Sequence, residues 1–533
     1  MIQENFIKIY EKSFKKNWEL PALTDYSKGT TFSFADVAKE IARIHILFEE
    51  CQIRRGDKIA LIGKDSARWC IVYMAAVTYG AIIVPILQDF SPNDVHHIIN
   101  HSESVFLFVS DRIWDTLEEE MIEDVRGVFS LSDFRCLHQR DGESIQKLLK
   151  GMDEKMAEKY PDGFGKDDIE YAELDNDKVV LLNYTSGTTG FSKGVMLTGN
   201  NLAGNVMYGI ELGVLYRGER ELCFLPLAHA YSCAFNFLVP MAVGAHVYLL
   251  GKVPSPKILL KAFEEVKPNL ILTVPLILEK IYKKMILPQL SKTTMKVALN
   301  IPLLDSRIYA QIRKKLVDAF GGRFREVIVG GAAMNEEVTN FLYKIKFPFT
   351  IGYGMTECGP IICSSRWETM KLASCGKATT RMEVKIDSSD PEKVAGEIIC
   401  RGTNLMLGYY KNLEATSQII DVNGWLHTGD LGTMDAEGYV TVRGRSKNML
   451  LTSSGQNIYP EEIESKLNNM PYVSESLIVL QKEKLVALIY PDFDDAFANG
   501  LQQTDVERMM EANRNELNQQ LPAYCQISKI KIH

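Results

Sequence analysis

The chain has 533 residues, of which 46% are hydrophobic and 24% are charged. That length suffices for roughly two to four domains, and the composition is ordinary for a globular enzyme. The formal net charge of −8, without any basic block, argues against a nucleic-acid-binding surface. The ten cysteines are scattered without a C-x-x-C pair, which indicates reduced thiols and predicts a cytoplasmic protein.

Neither a signal peptide nor a membrane span is predicted. No apolar core follows a basic start at the N-terminus. Residues 70–88 carry no charge, but tyrosines, a glycine and a proline interrupt them, and the stretch is marginal for spanning a bilayer. We interpret it as a buried helix followed by a buried strand at 81–87. The sequence leaves open a peripheral membrane contact and a homodimer.

Apolar strands alternate with amphipathic helices through the first four-fifths of the sequence. The predicted strands include 58–62, 81–87, 179–182, 270–274, 326–330 and 349–351. Helix starts are predicted at Ser91, which precedes a proline, at Pro275 and at Asn335. This alternation predicts an α/β fold with doubly wound, mostly parallel sheets and helices on both faces. In such folds ligands bind beyond the carboxyl ends of the strands.

Two polar segments are predicted to lie at the surface. Residues 150–177 are charged and glycine-bearing, which indicates a surface connection. His97 and His101 stand at metal-ligand spacing on one helical face, but no glutamate lies between them and no third ligand is evident. We interpret the histidine pair as part of a solvated helix face.

The character of the sequence changes near residue 444. A short helix at 461–469, a hairpin of apolar runs at 476–480 and 485–490, a polar helix at 504–520 and a strand at 527–533 follow. These elements predict a small α+β unit. We therefore expect a large N-terminal domain over 1–444 and a small C-terminal domain over 445–533.

A glycine- and hydroxyl-rich loop follows the strand predicted at 179–182. Its candidate phosphate contacts are Thr185, Ser186, Gly187, Thr188, Thr189, Gly190 and Lys193. Glycines let the backbone approach a ligand, hydroxyls and N–H groups donate to phosphate oxygens, and the lysine adds a mobile charge. A Walker A loop is excluded, because Ser192 stands where that motif has glycine before Lys-Ser/Thr. A phosphate-binding loop is favoured over a flexible linker.

This loop resembles the signature of the adenylate-forming superfamily, which includes acyl-CoA synthetases, nonribosomal adenylation domains and firefly luciferase. Three further segments, 352–357, 424–432 and 443–464, match the same family in the same order. The resemblance therefore covers nearly the whole chain and is greatest to bacterial long-chain fatty acid–CoA ligases. It implies that the small domain rotates between two half-reactions.

The resemblance implies a role for each matching residue in binding the nucleotide. Tyr353 would stack on adenine, Thr356 would meet the α-phosphate, and Glu357 would hold Mg²⁺, a hard cation that prefers carboxylate and phosphate oxygens. Asp430 would accept the ribose hydroxyls, and Arg445 would meet the ribose or the α-phosphate. The remaining expected nucleotide contacts are Gly331, Ala332, Gly354 and Met355.

The acyl and thiol sides of the site follow from the same resemblance. His229, also counted as catalytic with Lys193, Thr356 and Glu357, would line the acyl pocket. The other expected pocket residues are Tyr231, Val274 and Gly330. Lys447 occupies the hinge position, and the Gly455 loop would approach coenzyme A. No charged residue in the acyl segments is placed to recognise an ammonium group, which favours a fatty acid over an amino acid and leaves medium-chain and aryl acids open.

The sequence departs from the family pattern in a few places. Ser192 replaces a usual proline, and Asn448 replaces the commoner aspartate. The family also carries a catalytic lysine near its extreme C-terminus, whereas Lys529 and Lys531 stand too early to substitute before the sequence ends at His533. We expect that a short tail carrying this lysine follows, rather than that the protein adenylates poorly.

The resemblance thus implies an ATP-dependent fatty acid–CoA ligase that uses Mg²⁺, ATP and coenzyme A. The carboxylate would attack the α-phosphate and release pyrophosphate, and the acyl group would then pass to the thiol with release of AMP. Two alternatives stay open. One is an enzyme that loads an acyl or aryl group onto a carrier-protein thiol, and the other is a non-catalytic protein that binds nucleotide or acyl-adenylate.

Overall fold

Strands from the whole chain form two large sheets and several smaller ones. The computed structural model describes every residue except 1, 3, 123, 141, 186–191, 291, 293, 294, 296, 297, 300, 302, 303, 452–456, 482 and 483. The strands are β1 Pro21–Asp25, β2 Thr30–Ser33, β3 Lys58–Ile62, β4 Ile82–Ile86, β5 Ser104–Val109, β6 Gly127–Ser130, β7 Cys136–Gln139, β8 Val179–Thr185, β9 Lys193–Thr198, β10 Arg220–Cys223, β11 His246–Leu249, β12 Leu270–Thr273, β13 Glu326–Val329, β14 Phe349–Ile351, β15 Tyr353–Gly354, β16 Ile361–Ser364, β17 Lys377–Ala378, β18 Met382–Asp387, β19 Gly396–Gly402, β20 Gly408–Tyr409, β21 Leu426–Met434, β22 Val440–Arg445, β23 Leu450–Leu451, β24 Asn457–Ile458, β25 Val473–Gln481, β26 Lys484–Pro491 and β27 Ile527–Ile532.

Helices lie on both faces of the large sheets, and others pack with the small sheet near the end of the chain. They are α1 Phe6–Asn17, α2 Phe34–Glu50, α3 Ala67–Tyr79, α4 Pro92–Ser102, α5 Asp111–Trp114, α6 Ser144–Lys150, α7 Met152–Lys159, α8 Gly199–Leu212, α9 Ala230–Ser232, α10 Val239–Val243, α11 Pro256–Val266, α12 Pro275–Ile281, α13 Leu287–Leu290, α14 Leu304–Ala319, α15 Glu336–Lys344, α16 Leu413–Ile419, α17 Pro460–Leu467, α18 Phe493–Ala498 and α19 Gln503–Gln520. In the part of the chain that the structure describes, none of the helices combines the length and the apolar character that crossing a membrane requires.

The larger sheet has eight strands in the order β20-β9-β8-β4-β3-β5-β6-β7. Its five central strands run parallel, and antiparallel partners flank them on each side. Alternate side chains of β3 enter two different cores: Ile59 and Leu61 pack with α2 and α3, whereas Ala60 and Ile62 pack with α4. A strand buried on both faces needs a continuous apolar run, which is why the 58–62 pattern identified it.

The second large sheet has seven strands in the order β14-β13-β12-β10-β11-β1-β2. All neighbouring pairs are parallel except β1 and β2, which form an antiparallel edge. Leu270 and Leu272 join the same core as Ile59, whereas Ile271 faces a separate core with α11. The same layer of helices therefore packs against both sheets. The predicted α/β class with mostly parallel, doubly wound sheets is confirmed.

Local signals in the sequence placed several elements correctly. The strands predicted at 58–62 and 349–351 have those bounds in the structure. Ser91 caps α4, with its hydroxyl accepting a hydrogen bond from the backbone of Asp94, and Asn335 accepts two backbone hydrogen bonds at the start of α15. Side-chain caps of this kind depend only on neighbouring residues, so they are readable from sequence.

The two segments predicted at the surface contain more structure than the sequence indicated. Most of the stretch 150–177 is exposed, as predicted, but it contains the helix Met152–Lys159 with Met152 and Met156 buried. The α4 histidines are half-buried rather than fully solvated: His97 and His101 stack at 5.5 Å, and His101 Nδ1 lies 2.7 Å from the Tyr184 hydroxyl. That hydroxyl supplies a polar partner, which stabilises the histidine at a half-buried position.

The last part of the chain has its own core. Strands β25, β26 and β27 form a small sheet, with β25 and β26 antiparallel and β27 parallel to β26. Apolar side chains of this sheet, α17 and α19 pack together into one separate cluster. The strand β22 contains residue 444 and pairs with β21 of the preceding part of the chain. The separate core supports our proposal of a small C-terminal domain over residues 445–533.

Candidate active site

The two stems of the phosphate loop are neighbouring antiparallel strands. β8 ends at Thr185 and β9 begins at Lys193, and these two residues are direct partners in the ladder. Gly194 follows Lys193 at a crowded position, because a Cβ there would lie 2.9 Å from Tyr184 Cζ. The candidate contacts Ser186, Gly187, Thr188, Thr189 and Gly190 lie outside the described residues. The structure thus fixes where the loop leaves the sheet and where it returns.

Lys193 lies beside an aromatic ring. Its Nζ is 5.0 Å from the centroid of the Tyr409 ring. Within the described part of the chain, no carboxylate lies within ion-pair distance of Lys193. A half-buried ammonium without a protein counter-ion is suited to an anionic ligand such as a polyphosphate.

Glu357 lies behind the glycine loop that follows β14. The loop needs glycine at Gly354, because a Cβ there would lie 2.2 Å from the Pro360 carbonyl oxygen. Glu357 is only 9% exposed, and its Oε1 accepts a hydrogen bond of 2.7 Å from the Tyr409 hydroxyl. Among the described residues no lysine, arginine or histidine pairs with it. A buried carboxylate held by a neutral donor fits the donor chemistry of Mg²⁺.

Tyr353 of the glycine loop, Asp430 of β21 and Arg445 of β22 form a second polar cluster. The Tyr353 hydroxyl donates to Asp430 Oδ2 at 2.7 Å, and Arg445 Nε lies 3.2 Å from Oδ1. Burial raises the pKa of Asp430, while the Tyr353 hydroxyl and the Arg445 charge act in the opposite direction. Asp430 and Arg445 are also direct partners across β21 and β22. The aspartate expected at the ribose is thus held by an aromatic ring and by a cation.

The residues expected to line the acyl pocket meet where β12 and β13 end. The Tyr231 hydroxyl donates to the Ile328 carbonyl at 3.0 Å. A Cβ on Gly330 would lie 3.1 Å from Tyr231 Cζ, and a Cβ on Gly331 would lie 3.6 Å from Val274 Cγ1. Gly331 also has a φ of +87°, in the left-handed region that favours glycine. Tyr231 is thus half-buried, with small residues rather than bulky ones against its ring at the carboxyl ends of the strands.

His229 lies at the edge of the same region. His229 is exposed, but the surrounding protein partly desolvates its imidazole. This desolvation lowers the pKa of His229, while the charge of Asp89 acts in the opposite direction. A neutral imidazole suits an apolar substrate better than a cation does. Of the other predicted site residues, Ala332 is exposed and follows Gly331 directly. Lys447 is also exposed and lies between β22 and β23. Gly455 lies outside the described residues.

The segment that carries His229 is held by a half-buried aspartate that the sequence did not single out. Asp65 follows β3 and accepts a hydrogen bond of 3.1 Å from the backbone N–H of Leu227. Desolvation raises the pKa of Asp65 to about 7, and the backbone hydrogen bond offsets only part of that shift. A lone aspartate in a loop gives no sequence signal for this role, because its partner is distant along the chain.

We expect Asp65→Asn to stabilise the protein at pH 8 by about 1–3 kcal/mol. The folded-state pKa of about 7 lies above the unfolded value of 3.8, so the wild-type protein loses stability as pH rises from 4 to 7. Asparagine keeps an acceptor for Leu227 and carries no charge to desolvate. The gain should shrink towards pH 5 in thermal unfolding curves. Asp57→Asn is the control, since Asp57 accepts a similar bond from Arg54 nearer to solvent; equal gains in both variants would contradict the prediction.

Comparison with known proteins gives the family. The AMP-binding enzyme family model matches residues 10–410. The long-chain-fatty-acid–CoA ligase FadD15 of Mycobacterium bovis is 26% identical over 494 residues, which cover 88% of this chain and 78% of that protein. The 4-coumarate–CoA ligase CCL1 of Humulus lupulus is 28% identical over 481 residues, covering 87% and 79% respectively.

A solved structure gives the same fold. The anthranilate CoA ligase AuaEII in complex with anthranoyl-AMP superimposes with a TM-score of 0.77 at 20% identity, covering 99% of this chain and 93% of that one. The chain therefore belongs to the AMP-binding enzyme family, which confirms both the resemblance to adenylate-forming enzymes and the expectation of an acid–thiol ligase.

Proposed function

We propose that the protein is an ATP-dependent fatty acid–CoA ligase with a preference for long-chain acids. The observation that carries the proposal is the convergence of three features at the ends of neighbouring strands. Lys193, which has no carboxylate partner among the described residues, stands at the base of the phosphate loop. Glu357 follows the glycine loop, and Tyr353 of that loop contacts Asp430 of β21. Gly330 and Gly331 lie against Tyr231 and Val274 where β12 and β13 end.

In the first half-reaction an oxygen of the carboxylate would form a bond to the α-phosphorus of ATP as the bond to pyrophosphate breaks. Both reactants are anions, so the residues that neutralise charge matter most. Lys193 would contact the phosphates, and Tyr353 with Asp430 would fix the nucleoside. Glu357 would hold Mg²⁺, which when bound supplies positive charge next to the phosphate oxygens.

In the second half-reaction the sulfur of coenzyme A would attack the acyl carbonyl carbon, and AMP would leave with the bonding electrons. The exposed Lys447 lies where β22 ends, at the start of the proposed small domain. We propose that residues near this point change conformation between the two half-reactions and that the loop at Gly455 then approaches the thiol.

The acyl substrate is proposed from the chemistry of the pocket. Among the four residues expected there, His229, Tyr231, Val274 and Gly330, none is a carboxylate that could pair with an ammonium group. The Tyr231 hydroxyl is hydrogen-bonded to the backbone carbonyl of Ile328, so a ligand in the pocket would contact the ring rather than the hydroxyl. These features favour an acid with an uncharged acyl chain. The relatives named above are ligases for long-chain fatty acids and for 4-coumarate, which supports an acid of this kind.

We expect long-chain fatty acids to support ATP–pyrophosphate exchange that needs Mg²⁺, with weaker exchange for short-chain acids and for 4-coumarate. The measurement is isotope exchange with protein made from the complete reading frame. Amino acids serve as the negative control because the pocket residues give their ammonium no partner. If none of these acids supports exchange, the enzyme assignment fails and the binding-protein alternative gains support.

The thiol acceptor is tested separately. If acyl-CoA forms from added coenzyme A after adenylation, the ligase is established. If adenylate accumulates and only a carrier protein with a phosphopantetheine arm accepts the acyl group, the carrier-loading alternative replaces it.

A further inference from the structure

We propose that Tyr409 is a positioning residue that keeps the ammonium of Lys193 and the carboxylate of Glu357 apart, so that both stay available to Mg·ATP. This inference rests on the proposed function. Tyr409 lies between the two groups, with its ring facing Lys193 Nζ at 5.0 Å and its hydroxyl donating to Glu357 Oε1 at 2.7 Å.

The backbone holds Tyr409 firmly in this position. It ends the short strand β20, which pairs antiparallel with β9, and its direct partner is Val195, two residues after Lys193. Its backbone N–H donates to Thr416 Oγ1 at 2.9 Å, and only 6% of the residue is exposed. The strand pairing fixes the backbone of Tyr409, and burial of its side chain in the core restricts rotation of the ring away from Lys193.

The ring gives Lys193 a partner that does not neutralise it. An ammonium near an aromatic face is attracted by the quadrupole of the ring, yet it keeps its full charge for an incoming anion. A carboxylate in that position would instead form an ion pair and compete with the phosphates of ATP. Within the described residues, Lys193 has no such carboxylate partner.

The hydroxyl of Tyr409 gives Glu357 a partner that likewise does not neutralise its charge. A neutral donor satisfies one oxygen of this nearly buried carboxylate and leaves its negative charge available to a metal ion. Without the aromatic spacer, opposite charges in a poorly solvated site would attract each other strongly. Lys193 and Glu357 would then pair directly, and each would be lost to the nucleotide and to Mg²⁺.

The two functions of Tyr409 can be separated with two substitutions. Tyr409→Phe keeps the ring and removes the hydroxyl, and Tyr409→Leu removes both. Tyr410→Phe is the matched control, because the Tyr410 hydroxyl donates at 2.9 Å to Glu103 at the surface. The measurement is calorimetric binding of ATP with and without Mg²⁺, which does not depend on turnover.

We expect Tyr409→Phe to bind metal-free ATP as the wild type does and to lose about tenfold in the gain of affinity that Mg²⁺ brings, as the loss of a hydrogen bond to a charged group predicts. Tyr409→Leu should lose affinity under both conditions. In the Tyr409→Leu background, Lys193→Ala should then cost little more, because the lysine is already paired with Glu357. Tyr410→Phe should match the wild type.

Three results would overturn the proposal: equal losses in the Phe and Leu variants, additive losses for Tyr409→Leu and Lys193→Ala, or a wild-type protein that binds no ATP. If Tyr409→Leu does not fold, an unchanged Mg²⁺ dependence in Tyr409→Phe overturns it instead. The proposed ligase activity fails separately, when the wild type binds Mg·ATP but no acid supports exchange.

Discussion

Replacing Lys193 with alanine should slow the adenylation step about 100- to 1000-fold, since losing one preorganised charge contact costs about 2.7–4 kcal/mol of barrier. Lys193 begins β9 and pairs with Thr185 at the base of the phosphate loop. No protein carboxylate among the described residues neutralises it, so its charge is free for the developing negative charge on the phosphates. Pyrophosphate exchange with a long-chain fatty acid measures the effect.

The fold should tolerate this change, because among the described residues the Lys193 side chain forms no ion pair and its contact is with the Tyr409 ring. Thermal unfolding of Lys193→Ala is expected to stay close to that of the wild type. Lys178→Ala is the matched control, since Lys178 lies just before the other stem strand and forms an ion pair with Asp177 at the surface. Exchange at the wild-type rate in Lys193→Ala would show that the phosphate contact is wrongly placed.

Replacing Glu357 with glutamine should reduce the adenylation rate by a similar factor, about 100-fold or more, and should raise the Mg²⁺ concentration needed for half-maximal exchange. Glutamine keeps an oxygen that accepts the Tyr409 hydroxyl but removes the negative charge. The loss should therefore appear in metal dependence rather than in stability. A Mg²⁺ titration of exchange, together with thermal unfolding, distinguishes the two.

Glu383→Gln provides the comparison for Glu357→Gln. Glu383 is exposed on β18 and pairs with Arg401 at 2.9 Å, far from the glycine loop in sequence. Such surface pairs contribute little, so this variant should keep the wild-type rate and metal dependence. If Glu357→Gln shows the same Mg²⁺ requirement as the wild type, another group holds the metal.

Much of the site could be named from sequence, but only as separate pieces. The glycine loop, the phosphate loop and the aspartate segment each match a family pattern, and the structure brings Tyr353 and Asp430 into contact although 77 positions separate them. The role of Tyr409 could not be predicted from sequence, because nothing in its local pattern points to Glu357, 52 positions away. The roles of these residues towards ATP, Mg²⁺ and the acid stay predictions until the variants are measured.

The sequence by itself determined the local elements and the fold class. Continuous apolar runs such as Lys58–Ile62 and caps such as Ser91 and Asn335 depend on neighbouring residues, so they can be read in one dimension. The tertiary structure alone decided which strands became neighbours, and therefore that β20 lies against β9 and sets the Tyr409 ring beside Lys193. The physical reason is that strand order depends on how helices and sheets bury their apolar faces together, and no local pattern encodes that.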